Sequence, residues 1–445
     1  MRQDATSDWE AVGREAAQLL ARYVQIDTTN PPGNERLAAE FLAQVLRQRG
    51  FEPRLYESGP GRANLVARVR GGEERGPLLL LHHMDVVTAN AGDWSHDPFG
   101  GDLCDGCLYG RGTLDMKGFG VMQLLALDLL RRSGRPLRRD VILMAVSDEE
   151  MEGNYGTGWM VDRHWDDIRP EVVWDEGGYG VSGFVGEGCV FLVAVAEKRV
   201  LWPRLVARGE PGLASIPRGN NPVDLLARAL ERIRTHPQPP RLTPVSREML
   251  KRLADAIDFP QSLLLRHVDN PLVWPLAGRA LTRQPETNAM LRNLVTPTQL
   301  QAGSKENVIP GRAVAGLDVR LLPDEDVDAF LARLKRTITD DRVAIELDQR
   351  PVESSVSPFE GEFFSALERV LRREVPGCLV VPTLTPGGTD SRFFRQRGVA
   401  AYGLIPIAID LGELNRMHGI DERISLDNLR LGTHVVYGVL QDLCC

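Results

Sequence analysis

Three apolar runs in this chain each stop at a group of acids or imidazoles. They are PLLLLHHMDVV (77–87), DVILMAVSDEE (140–150) and VVWDEGG (172–178). Leu78 to Leu81 is unbroken, as a strand covered on both faces requires; a half-exposed strand would alternate apolar and polar residues. Helix-period apolar stretches flank these runs at 8–22, 35–49 and 116–132, and NLVARVR (64–70) reads as a further strand. Strand, helix, strand with polar strand ends predicts a doubly wound, mixed-sheet α/β domain. In such sheets a site lies outside the carboxyl ends of the strands.

The character changes near residue 197. RLVARGE (204–210), NPVDLLARALERIRTH (221–236), AVAGLDVRLLP (313–323), DVDAFLARLKRTIT (326–339) and RVAIEL (342–347) alternate strand and helix on a smaller scale. The sequence predicts an inserted α+β domain over 197–349, holding an extra leucine-rich helical segment at 240–290. Residues 1–196 and 350–445 then form one catalytic domain. A chain of 445 residues is long enough for two cores. Pro203 interrupts LWPRLVAR, and because it removes a ladder donor, that strand should lie at an edge or be bulged.

The balance of residues narrows the function. The chain is 43% hydrophobic and 26% charged, a globular composition, and its net charge of −8 gives no basic footprint for nucleic acid or an anionic membrane. No run of about 18 apolar residues occurs, so no membrane span is expected. The start, MRQDATSDWEAVGREAAQLL, lacks the marks of a secretory leader. With only six cysteines, the expected compartment is the cytoplasm. Cys104 and Cys107 form CDGC without a second such pair, which reads as a plain turn before a zinc or redox motif.

Taken singly, the polar strand ends are ordinary. His83 and Asp85 share a strand face while His82 points the other way. Asp115 follows a glycine-rich turn, Glu149 and Glu150 close one core strand, Asp175 ends another apolar run, and His418 sits in a loop. Taken together they bring two histidines and four or five carboxylates to one sheet edge. That gathering is electrostatically unfavourable unless cations neutralise it. Nitrogen and oxygen donors without thiolates suit zinc, or cobalt or manganese. Five ligands sharing one carboxylate would hold two ions about 3.5–4 Å apart, a geometry used for metal-assisted hydrolysis.

Seven motifs, HHMDVV, GRGTLDMKG, SDEEMEG, WDEGG, NVIPGRAVAGLDVRLLP, GGTDSRFF and MHGIDERIS, occur in this order. The set resembles the co-catalytic di-zinc amidohydrolases, a family of aminoacylases, glutamate carboxypeptidases and succinyl-diaminopimelate desuccinylases. The 240–290 segment further resembles the branch of carboxypeptidase S and the N-fatty-acyl amino acid hydrolases. The resemblance implies a catalytic domain with a lid through which the chain forms a homodimer. It implies that His83 and Asp175 bind one zinc, that Glu150 and His418 bind the other, and that Asp115 bridges both. Glu149 would be the general base on the water between the ions. Asp85 would hydrogen-bond His83 from behind and fix its tautomer. Asn307 and Arg320 of the lid would bind a substrate carboxylate, and Gly388 and Arg392 would line the pocket. The implied reaction is hydrolysis of an amide next to a free carboxylate, in an N-acyl amino acid or a small peptide.

One position departs from the resemblance. The family commonly carries a lid histidine that donates to the oxyanion in a partner subunit, within a glycine turn followed by small residues and proline. RGEPGLASIP (208–217) has that turn, with Leu213 at the histidine's place. Leucine cannot donate a hydrogen bond. Two readings follow: a working hydrolase with another source of oxyanion stabilisation, or a metal-loaded homologue with altered chemistry, such as amide formation or carboxylate binding alone.

Overall fold

The run Leu78–His83 lies inside an eight-stranded sheet in a computed structural model that describes residues 8–186, 188–350 and 355–445. The first seven residues, which bear on the leader reading, lie outside the described residues. The strand order is Arg54–Gly59, Arg62–Val69, Val141–Val146, Leu78–His83, Val172–Ser182, Ala400–Ile409, Cys189–Glu197, Leu379–Thr385. Leu78–His83 runs parallel to both of its neighbours, whereas Arg62–Val69 is antiparallel to Val141–Val146, so the sheet is mixed.

Side-chain alternation explains the unbroken apolar run. Leu78 and Leu80 pack into a core shared with the helices Trp9–Val24, Glu35–Gln48 and Lys117–Arg132. Leu79 and Leu81 pack on the opposite face with Met160, Val161 and Phe394. His82 belongs to the first face, with Nδ1 3.0 Å from Gln123 Oε1. Gly120 lets the Lys117–Arg132 helix approach there; a β-carbon on it would lie 2.5 Å from the His82 ring.

The insert has its own five-stranded sheet. Leu294–Ala302, Arg312–Leu321, Arg204–Arg208 and Val343–Glu346 lie in that order, and Arg199–Leu201 pairs with the end of Arg312–Leu321. The helices Pro222–Thr235 and Val327–Ile338 cover one face around Leu205, Leu225, Leu317 and Phe330. Alternation turns Ala313, Ala315, Leu317, Val319 and Leu321 into this core, which leaves Asp318 and Arg320 on the other face.

Pro203 acts differently from the expectation of an edge or a bulge. The register runs on from Leu201↔Val319 to Arg204↔Gly316 without a shift, and Arg204–Arg208 is an interior strand. Leu317 N still donates to Pro203 O at 3.0 Å. Only the return bond is lost, because proline has no N–H, and the strand divides in two.

The leucine-rich segment packs against the large sheet. Its helices Pro244–Leu253, Gln261–Arg266, Trp274–Leu281 and Pro285–Leu291 join a core in which Met249, Leu250, Leu253, Val268 and Ala277 meet Val190 and Val381. Arg252 NH1 donates to Val380 O at 3.1 Å. The sequence shows an apolar helical face but not the surface it seeks. CDGC is a hairpin turn: Cys104 pairs with Cys107, Asp105 and Gly106 have φ of 48° and 73°, and all six cysteines are free. Among the described residues, no helix is long and apolar enough to cross a membrane.

Candidate active site

Five segments from distant parts of the chain meet beside the end of Leu78–His83. His83 is buried, and its Nδ1 donates to the main-chain oxygen of Asp85 at 2.9 Å. That bond leaves Nε2 facing Asp115 Oδ1 at 3.0 Å and Glu176 Oε1 at 3.7 Å. The tautomer is therefore fixed by a carbonyl, as metal-binding histidines often are. The Asp85 carboxylate lies 3.6 Å from Nδ1, too far for the expected hydrogen bond. It accepts instead from the main-chain N–H groups of Glu149 and Glu150, both at 3.1 Å.

Asp115 sits between two imidazoles. Its Oδ1 faces His83, and its Oδ2 lies 3.0 Å from Nε2 of His418. The same His418 nitrogen is 3.4 Å from Glu150 Oε1. Two sets of donors result, His83 with Asp115 and Glu176, and Asp115 with Glu150 and His418. Within each set the ligand atoms all lie within 4.8 Å of one another.

Asp115 is positioned from the far end of the chain. The buried Glu422 accepts from the N–H groups of Leu114 and Asp115 through Oε1, at 2.7 and 3.2 Å. Arg111 NH1 meets its other oxygen at 2.6 Å, while Arg111 NH2 donates to Gly419 O at 2.8 Å. The turn before Asp115 and the loop carrying His418 are thus fastened together. Both charged residues lie inside motifs visible in the sequence, but nothing in the sequence pairs them.

Asp175, expected beside His83, faces away from it. It lies on Val172–Ser182 next to Glu176, and neighbouring strand residues point to opposite sides. Asp175 Oδ2 accepts from Ser391 Oγ at 2.8 Å, and the side chain is buried behind the site. Glu176 takes the place beside His83 that the resemblance gives to Asp175. Alternation puts the two on opposite sides, and the neighbouring strands decide that Glu176 is the one facing His83.

Electrostatics show what the cluster lacks. Burial pushes Glu149 and Glu176 well above the ordinary carboxylate range, helped for Glu149 by Asp390 and Glu150, and for Glu176 by Asp115. Burial also pushes Asp175 up to about 6. His418 is pushed up to about 10 by the Asp115 and Glu150 carboxylates beside its ring nitrogen. Burial opposes the charge of His83, yet Asp115 and Asp85 hold it well above its usual value. Burial is the largest cause for the carboxylates, and an imbalance adds to it for Glu149 and Glu176, where several buried acids face little positive charge. Glu150 Oε1 is buried without a hydrogen-bond partner, an orphaned acceptor aimed at the same space. The donor set fits two cations.

The pocket-lining and lid residues fall into two groups. Arg392 NH2 donates to Glu152 O at 2.9 Å and NH1 to Thr389 O at 3.1 Å, which ties the loop of Gly388 to the turn of Glu149. On the lid, Arg320 grips Asp318 through Nε and NH2 at 2.8 and 3.0 Å. Asn307 O accepts from Ala214 N at 3.1 Å, and Leu213 pairs with Val308 in a two-stranded ribbon. Leu213 is 61% exposed. Among the described residues, no hydrogen bond or ion pair joins Leu213, Asn307 or Arg320 to the cluster.

The chain is similar to known proteins. The chain is 31% identical over 399 residues to the N-fatty-acyl-amino acid synthase/hydrolase PM20D1 of Xenopus tropicalis, covering 88% of this chain and 77% of the relative. It is 27% identical over 417 residues to human aminoacylase-1, covering 91% and 90%. Its fold matches the M20 family metallo-carboxypeptidase Sso-CP2 from Sulfolobus solfataricus, with a TM-score of 0.70 at 18% identity over 96% of this chain and 98% of that one. Residues 79–442 match the family described as peptidase family M20/M25/M40, and the chain belongs to that family.

Proposed function

We propose that this protein is a zinc-dependent amidohydrolase that cleaves the amide bond beside a free carboxylate, in an N-acyl amino acid or a small peptide. One observation carries the reading. Asp115 is shared between His83 and His418, and Glu176 and Glu150 complete two donor sets beside Glu149. His83, Asp115 and Glu176 would hold one ion; Asp115, Glu150 and His418 would hold the other. Nitrogen and oxygen donors suit zinc, with cobalt or manganese as substitutes. Bound there, the ions supply charge neutralisation, a polarised carbonyl and a more acidic water.

The protein's own groups do the rest. Glu149 accepts a proton from water as its oxygen bonds to the carbonyl carbon. The same proton passes to the nitrogen as the carbon–nitrogen bond breaks. Asp85 fixes the turn that aims Glu149, through the two main-chain bonds described above. Arg320 spends two of its five N–H donors on Asp318, and the remaining three can receive the substrate carboxylate. The insert is the lid that brings Arg320 and Asn307 over the substrate. Its outer strand Leu294–Ala302 is exposed over 296–302, which supports a homodimer formed through the lid. Six free cysteines support the cytoplasm as the compartment.

Exposed Leu213 favours a second reading, in which the protein binds its ions but makes amides or holds carboxylates without hydrolysing them. Turnover of a panel of N-acyl amino acids and dipeptides by zinc- or cobalt-loaded protein decides between the two. Hydrolysis that a chelator abolishes and metal restores is expected. Silence across the panel with two ions bound per chain would leave the second reading. Glu149→Gln should retain both ions and lower kcat by roughly 10²–10⁴-fold.

A further inference from the structure

Behind the cluster lies a buried polar network that the reaction as described does not use. Asn30 is 4% exposed, Arg62 8% and Asp148 4%. The Asn30 amide nitrogen donates to Asp85 Oδ2 at 2.9 Å and to Asp148 Oδ1 at 3.1 Å. Arg62 NH2 donates to Asn30 Oδ1 at 2.9 Å, and NH1 donates to Asp148 Oδ1 at 3.0 Å. The guanidinium therefore fixes which way the amide faces, since only the amide oxygen can accept from it.

The two carboxylates so joined control the base. Asp85 receives the N–H groups of Glu149 and Glu150. Asp148 precedes Glu149 and holds a left-handed φ of 68°, a conformation that a non-glycine residue keeps only when its surroundings enforce it. Its Oδ2 accepts from Tyr155 N at 3.2 Å, which closes the turn from the far side. Two adjacent buried carboxylates repel each other. A neutral amide offering two N–H groups is the smallest side chain that can join both and add no charge.

We propose that Asn30 and Arg62 are positioning residues for the hydrolysis: the Asn30 amide, oriented by Arg62, clamps Asp85 to Asp148 and so sets the Glu149 carboxylate against the cation site. This rests on the role given to Glu149 above. The clamp explains why a residue so early in the chain is buried beneath the site, and why Arg62 reaches under it from a neighbouring strand.

Asn30→Asp is the sharp test. It is nearly isosteric and keeps the acceptor for Arg62, but it turns an oxygen towards two carboxylates. Two readouts are taken on the full chain loaded with zinc: steady-state hydrolysis, and deuterium exchange of peptides covering 147–155. The clamp predicts kcat lower by roughly 10–100-fold, the range for groups that orient metal-site residues, with KM unchanged. It also predicts faster exchange confined to 147–155. Exchange unchanged there, exchange faster throughout the chain, or an unchanged kcat would each overturn the proposal. Asn30→Ser keeps one donor and carries the same two readouts if Asn30→Asp does not fold. Should the wild-type protein hydrolyse nothing, the hydrolase reading fails, and the exchange measurement still judges the clamp.

Discussion

The guanidinium of Arg111 and the carboxylate of Glu422 meet at 2.6 Å in the interior, 311 positions apart in the chain. Burial pushes Glu422 upward and Arg111 opposes that shift, so each residue needs the other. Removing one partner of a buried ion pair typically costs about 3–5 kcal/mol, because the other is left uncompensated. Arg111→Met should lower Tm accordingly. It should also weaken binding of the ion held by His418, since Arg111 anchors Gly419 O next to that histidine. Thermal unfolding and zinc titration of the variant check both effects. A variant with normal Tm and two normal binding events would contradict the role given to this pair.

Glu176 and Asp175 make opposite predictions. Glu176→Ala should remove one donor of the His83 set and bind a single ion tightly. Asp175→Asn should keep both ions, because Asp175 faces Ser391 and an amide oxygen can still accept that bond. Metal content after gel filtration measures both variants. The reverse pattern would restore Asp175 as the ligand.

Leu213→His reintroduces a donor at the tip of the lid ribbon. Donors of this kind are typically worth ~2.7–4 kcal/mol in the transition state, so kcat should rise, by as much as 10²–10³-fold if the lid reaches the oxyanion. KM should change little. A flat kcat would mean that the lid holds residue 213 away from the reacting carbonyl.

A pH dependence follows from Glu35. Its Oε1 accepts from Arg62 NH1 at 2.7 Å, while its Oε2 is buried without a partner. Burial, and then Asp85, push the carboxyl up to about 7 from an ordinary 4.5, against the pull of Arg62. The folded protein thus holds a proton there that the unfolded chain releases between those values. The stabilisation is fully present below the lower value and is lost as pH rises through the upper one. Glu35→Gln should flatten the fall in unfolding free energy across that window, measured by denaturant titration. An identical slope in both proteins would contradict the assignment.

Much of the candidate site is legible in the sequence because every donor but His418 follows an apolar run or a glycine turn. His82 and His83 separate correctly by strand alternation alone. The same rule should have separated Asp175 from Glu176, but alternation says only that the two differ, and the side facing His83 is set by the neighbouring strands. The sequence makes Asp85 a partner for His83, whereas its carboxylate closes the turn of Glu149 and its own main-chain carbonyl receives the ring. The Arg111–Glu422 pair and the Asn30 clamp were invisible because their partners are far apart in the chain. The leucines of 240–290 announce a buried face, but no periodicity names the surface that buries it.

The packing of that segment has a consequence for shortening the chain. Leu379–Thr385 is one of the two outer strands of the large sheet, and the helix Pro244–Leu253 packs against it with Arg252 donating to Val380 O. An uncovered outer strand is a template for any other chain that can extend along it. The segment therefore acts as a stopper, keeping the sheet from recruiting its own kind. A protein trimmed of 244–291 would be expected to precipitate for want of an ending, even with every residue of the reaction still in place.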